Sequence, residues 1–180
     1  MKPQYLTNIN TQPSTFPGLE ILSLGDSTWY AGDYTTVKSN KFKDIKKEIV
    51  ELINFSMNRK TIRKDWDWHH VVETQHISQF IEGVKVHQEE WHNMPTILIH
   101  KPEHKFFSQN FNNNAFRELT DTQKGRVHHV DLHKKQNTAQ LKQVKTTIKN
   151  LQDMYNSMYS GYTVLRKIAN NVFNYHLRSL

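Results

Sequence analysis

The chain has 180 residues, enough for one domain with a core of useful size and an appended helical element, and too few for a second full domain. Its 24 Lys+Arg against 17 Asp+Glu give a formal charge of +7 with histidines neutral, which favours a polyanionic partner, nucleic acid before anionic membrane. There is no cysteine, which excludes disulfides and thiolate metal sites, so any metal must be held by imidazole, carboxylate or amide oxygen; 11 histidines make that feasible.

Apolar runs are only a few residues long, and the first 17 residues lack the basic start and apolar middle of a secretory signal, so the folded chain is expected to be soluble and off the membrane. Export by other machinery stays open, including as the tail of a larger secreted protein. Residues 1–40 are polar, with Pro3, Pro13, Pro17, Gly18, Gly25 and Gly32, and are expected to form an irregular arm with one short strand over 19–24. Over 41–58, Phe42, Ile45, Ile49, Leu52, Ile53 and Met57 fall at three- and four-residue spacings, which predicts an amphipathic helix with its lysines outward. Arg59, Lys60, Arg63 and Lys64 follow, either as a solvated helix end or as contacts to a phosphate backbone.

Residues 65–73, Asp-Trp-Asp-Trp-His-His-Val-Val-Glu, are predicted as a strand, then a loop or short helix through Ile77, Phe80 and Ile81 that ends at Gly83. A second strand is expected over 94–99, and Lys101-Pro102-Glu103-His104 opens a helix toward Asn110, with proline and an acid in its first turn. Thr120 to Gln123 fits a capping box for a helix carrying His128, His129 and His133, a set more in keeping with a basic solvated face than with a metal site. Beyond Asn137, Leu141, Val144, Ile148, Leu151, Tyr155, Met158, Tyr162 and Leu165 form a stripe that Ala169 and Val172 extend. Gly161 interrupts it, giving one long helix or a two-helix hairpin, as helical core rather than a dimerising coil.

The chemistry concentrates at Trp68-His69-His70-Val71-Val72-Glu73. Side chains alternate across a strand, so adjacent imidazoles lie on opposite sides of one backbone, and one can bind a metal while the other moves a proton. Histidines in an aromatic strand are otherwise ordinary interior residues; the tryptophans Trp66, Trp68 and Trp91 are either core or base-stacking groups.

This run, followed by Asn93 and by His104 at a helix start, resembles the HNH group of ββα-metal (His-Me finger) endonucleases, and more narrowly the Trp-His-His toxin nucleases at the C-termini of bacterial polymorphic toxins. The match covers roughly residues 65–110. The resemblance implies that His70 is the general base, that Asn93 orients it, and that His69 and His104 are metal ligands. An imidazole titrates near neutrality and suits the base role. Glu73 either completes the metal shell or holds a histidine. The interval from His70 to Asn93 is long and contains His76, His87 and His92. His100 stands four residues before His104 and becomes an additional ligand if the helix starts early enough to put both on one face. Two ligands suit an open Mg²⁺ or Mn²⁺ site, and three imidazoles suit Zn²⁺ or Ni²⁺.

The expected fold is α+β: an N-terminal arm and helix over 1–64, a ββα-metal nuclease core over 65–115 and a C-terminal helical extension over 116–180, in one compact domain. The expected function is a metal-dependent endonuclease acting on DNA, with RNA a further substrate. The resemblance implies a toxin delivered into the cytoplasm of a competing cell, countered by an acidic immunity protein. Met1 favours a complete gene product, which keeps a cytoplasmic phage or mobile-element nuclease open. From another class, a non-catalytic basic nucleic-acid-binding or helical interaction protein with structural histidines also fits.

Overall fold

The computed structural model describes residues 4–6, 8–24, 27–39, 41–73, 81–82, 94–112, 130–131 and 137–180. The first surprise is the N-terminal stretch. Instead of an irregular arm with one strand, it supplies three: β1 (Thr11–Pro13), β2 (Glu20–Leu24) and β3 (Ser27–Asp33), paired antiparallel in succession. Two of the glycines that suggested an arm have positional roles here. Gly18 takes a φ of +83° in the β1–β2 connection, where a side chain would be strained. Gly32 lies within β3, where a Cβ would come 2.8 Å from Leu19 Cδ2 and 3.2 Å from the Gly18 carbonyl, so the strand needs glycine for close approach.

Asp33 then caps the short helix α1 (Tyr34–Lys38) by accepting from the Thr36 N–H, and α2 (Lys41–Met57) follows as the apolar spacing predicted. Leu52 departs from that prediction: it is 48 % exposed, while Phe42, Ile45, Ile49 and Ile53 are buried. A 3₁₀ turn, Arg63–Asp65, leads into β4 (Trp66–His70). A residue pair, β5 (Ile81–Glu82), pairs in parallel with β7 (Val130–Asp131), so the first is strand where the sequence suggested a loop or short helix, and the second where it suggested a helix. Between them lie β6 (Pro95–His100) and the helix α3 (Lys101–Asn112), which begins at the residue after the strand ends. The predicted capping box at Thr120 and the histidines His76, His87, His92, His128, His129 and His133 lie outside the described residues, as does Trp91.

The main sheet has the order β1-β2-β3-β6-β4 and every pair is antiparallel. β6 is interior and buried along nearly its whole length, which explains why Ile97, Leu98 and Ile99 are all apolar: both its faces are covered. On one face α1 and α2 pack through Val37, Phe42, Ile45 and Ile49 against Tyr30, Trp66 and Leu98. On the other lie α3 and an antiparallel hairpin of α4 (Thr138–Met158) and α5 (Thr163–Ser179), whose Val144, Ile148, Tyr155, Leu165 and Phe173 meet Leu22, Trp29, Ile97 and Ile99. The apolar stripe beyond Asn137 is therefore sheet-facing core, folded as the hairpin alternative. Asn137 starts it with a capping box shared with Gln140. The α+β class stands, with strand, strand and helix in the expected order over β4, β6 and α3. Among the described residues no helix is long and apolar enough to cross a membrane.

Candidate active site

β4 stands at the edge of the sheet among the described residues, pairing there with β6, with His69 opposite Ile97 and His70 opposite Thr96. Alternation sends Trp66, Trp68 and His70 toward α1 and α2, and Asp67 and His69 toward α3 and the hairpin. Because β6 runs without a linker into α3, the first turn of that helix folds back over β4. It carries His104 to within 5.1 Å of the His69 ring, centroid to centroid.

His69 is 4 % exposed, its ring stacked on Phe107 at 5.5 Å. Its Nε2 lies 2.9 Å from the Tyr159 hydroxyl, which in turn lies 2.8 Å from the Val71 carbonyl. A carbonyl can only accept, so the single phenol proton goes to Val71 and the imidazole must donate through Nε2–H. That leaves the lone pair on Nδ1, a buried atom with no hydrogen-bond partner among the described residues. His104 is fixed the other way round: Nδ1 lies 3.2 Å from the Asp67 carboxylate, so an Nδ1–H donates there and the lone pair resides on Nε2.

His70 faces the opposite side, its ring 4.6 Å from that of Tyr34 and its Nδ1 4.0 Å from Glu73 Oε2, while Nε2 is buried without a partner among the described residues. Burial drives the His69 pKa down from 6.5 to about 3, with the cationic forms of His104 and His70 pushing the same way. Burial likewise lowers His70 to about 4, again helped by His104. Both rings are therefore neutral at pH 7. Burial raises the Glu73 carboxyl, against an opposing pull from His104, and keeps the Tyr155 and Tyr159 phenols protonated far above their usual range. Glu73 stands where the strand ends and its two faces meet: its N–H donates to the Tyr155 hydroxyl from the hairpin while its carboxylate approaches His70.

The donor set fits a divalent cation in part. Two imidazoles present ring nitrogens whose partners on the far side fix the lone pairs, as a ligating histidine requires. Among the described residues, however, no three His, Asp or Glu side chains converge as a metal-binding group. Asn93, expected to orient the base, lies outside the described residues.

His100 is not brought into this cluster. The helix starts after it, and as the last residue of β6 it pairs with Trp66, the rings 5.3 Å apart on the α2 side of the sheet. The expectation of one face shared with His104 is corrected on that ground. Of the four basic residues singled out, Arg63 and Lys64 line a cavity of about 450 Å³ between α2 and β4, whereas Arg59 and Lys60 do not. Sequence reasoning missed Asp67 and Tyr159. Asp67 was findable, standing two residues before His69 on the same strand face; Tyr159 carried no local signal, being 90 residues from its partner.

No family model matches the chain, and neither does any curated protein or solved structure. The likeness to ββα-metal nucleases rests on the quoted residues and their placement alone.

Proposed function

We propose that this chain is a metal-dependent endonuclease that hydrolyses DNA phosphodiester bonds, with His69 and His104 as the metal ligands and His70 as the general base. One observation carries it: a strand imidazole and a helix imidazole lie ring to ring, each tied on its outer nitrogen (Tyr159 for His69, Asp67 for His104) so that the other nitrogen keeps its lone pair. A divalent ion held there would stabilise negative charge developing on the phosphate and its leaving oxygen.

The chain's own groups supply the rest. His70 is neutral at physiological pH, and a proton on Nδ1 facing Glu73 leaves Nε2 able to accept one from the attacking water. A phosphate that meets both His70 and the His69–His104 pair has to lie at the end of β4, where Glu73 bridges its faces. The wider setting that goes with this reading is a toxin acting in a competitor's cytoplasm and neutralised by an acidic immunity protein that covers the basic surface.

The test is cleavage of supercoiled plasmid by purified protein in Mg²⁺, Mn²⁺, Ni²⁺ or Zn²⁺. Cleavage should stop with EDTA and be abolished in His70→Ala with DNA binding retained. Undiminished cleavage by that variant would overturn the base, and intact plasmid together with intact single-stranded DNA under every metal would overturn the hydrolase.

A second reading has its own observation: His69 is stacked on Phe107 inside the core, with no third ligand among the described residues. In it the histidines are structural and the chain binds nucleic acid without cutting. DNA binding with no cleavage and no metal uptake by calorimetry would select it.

A further inference from the structure

On the α2 side of β4, six cationic side chains converge on the cavity of about 450 Å³: Lys38, Lys43, Lys46, Arg63, Lys64 and Lys101, with Asp67, the partner of His104, the one carboxylate lining it among the described residues. They come from four separate stretches of chain, α1, α2, the 3₁₀ turn and the start of α3, so the charge is assembled by the fold and not by one basic run. The Lys46 ammonium donates to the Trp66 carbonyl at the base of the groove. Its pKa is lowered, chiefly by burial; Asp67 opposes the shift, and Lys101 and Arg63 add to it. Positive charge is thus concentrated here at a cost the fold tolerates, and an anion would relieve it.

The wall is also aromatic. Trp68 lines the cavity half-buried, beside the buried Trp66 and Phe42. At one end the lining residue Lys38 lies over the Tyr34 ring at 5.4 Å, and that ring lies 4.6 Å from His70, so a strand leaving the groove past Lys38 would meet the histidine assigned as the base. A concave slot of this size with cations around an indole matches what a single strand presents, phosphates flanking an exposed base plane; a duplex is a convex cylinder with its bases stacked away. We propose that this groove binds single-stranded nucleic acid, with phosphates on the lysines and arginine and a base against Trp68. The proposal deepens the nuclease reading, resting on it only for what the strand is held for: it makes an unpaired strand, led along the α2 face to the end of β4, the substrate.

The experiment is fluorescence anisotropy with labelled 15-mers of single-stranded DNA, single-stranded RNA and duplex DNA, in EDTA and across a salt series. The proteins are the wild type, the groove pair Lys43→Glu/Lys64→Glu, and a control pair of equal charge change, Lys142→Glu/Lys149→Glu, on the hairpin side of the sheet. All four side chains are exposed, so each pair should fold. Single strands should bind at least fivefold more tightly than duplex. The groove pair should weaken single-strand binding by about tenfold or more and reduce the salt slope by about 1.4, the value for two phosphate contacts, while the control pair changes affinity less than twofold. The DNA and RNA arms tell which strand is preferred. Equal losses from both pairs, preference for duplex, or binding only to anionic phosphatidylglycerol vesicles would overturn the groove. Because EDTA removes cleavage from the assay, groove-dependent binding with no cutting of single-stranded or plasmid DNA in any metal would sink the hydrolase alone; metal-dependent cutting of single strands unaffected by the groove pair would sink the groove alone.

Discussion

The two faces of β4 differ in how their histidines are held. On the hairpin face, His69 donates to a phenol that donates to a backbone carbonyl, all of it buried, and a neighbouring imidazole is pinned by a carboxylate. On the α2 face, the His70 side chain is 19 % exposed, beside Tyr34 and a carboxylate 4.0 Å away. Two residues adjacent in sequence therefore sit in unlike surroundings. A ring fixed on its far nitrogen suits ion binding, and a ring facing a carboxylate across a wider gap suits proton transfer.

The sharpest way to break this contrast is to delete each ring in turn. His70→Ala should lower plasmid cleavage about 10²- to 10⁴-fold, the usual range for a general base, and leave the urea midpoint nearly unchanged. His69→Ala should lose activity and also destabilise by about 2–4 kcal/mol, since it opens a cavity beside Phe107 and leaves the Tyr159 hydroxyl short of a donor. Equal destabilisation by the two variants would erase the distinction between the faces.

Next in size is Tyr159→Phe, which removes one oxygen from the hairpin face and nothing from the other. It strands the His69 N–H and the Val71 carbonyl, both buried, at about 1–3 kcal/mol each. Urea unfolding should report a loss of about 2–4 kcal/mol. A loss under about 0.5 kcal/mol would mean that His69 is not the donor, and the fixed lone pair on Nδ1 would go with it.

Acid should act on both faces through the same mechanism. Folded His69 and His70 have pKa values near 3 and 4 against 6.5 unfolded, so below 6.5 the unfolded chain takes up protons that the folded chain refuses. Their contribution is intact above about pH 6.5 and is lost as pH falls toward those folded values, at up to about 1.4 kcal/mol per pH unit for each ring. Stability measured between pH 7 and 4 should fall along that slope, and His69→Gln should flatten it by about half. A wild-type profile that stays level down to pH 4.5 would contradict the burial of both rings.

How much of this could be seen in the sequence depends on whether the signal was local. α2, β4, β6 and α3 were legible because period-3.6 and period-2 patterns, and a proline-acid helix start, sit within their own windows. The opposite-facing histidines followed from strand alternation alone. The strands β1 and β3 were not legible: Gly32 resembles a breaker until Leu19 is seen packed against the space its side chain would fill. The site divides the same way. Asp67 lay within reach of alternation, whereas Tyr159 and Lys101 join only through the hairpin and the β6–α3 junction, contacts with no counterpart in a local window.

The smallest expected effect separates the hairpin as a wall from the hairpin as a moving part. Gly161 stands in the α4–α5 turn, its φ is outside the left-handed region, and a Cβ there would meet nothing within 4 Å. Glycine's freedom is not used in the fold at this position, so Gly161→Ala should stabilise by about 0.4–1 kcal/mol by narrowing the unfolded ensemble. Urea unfolding measures the gain, and the plasmid assay measures what it does across the sheet. If α4 and α5 only hold Tyr159 against His69, the cleavage rate should stay within about twofold of wild type. A stabilised variant with a markedly slower rate would show that the turn must flex for His70 on the opposite face to work, and the two faces of β4 would then be coupled through the hairpin.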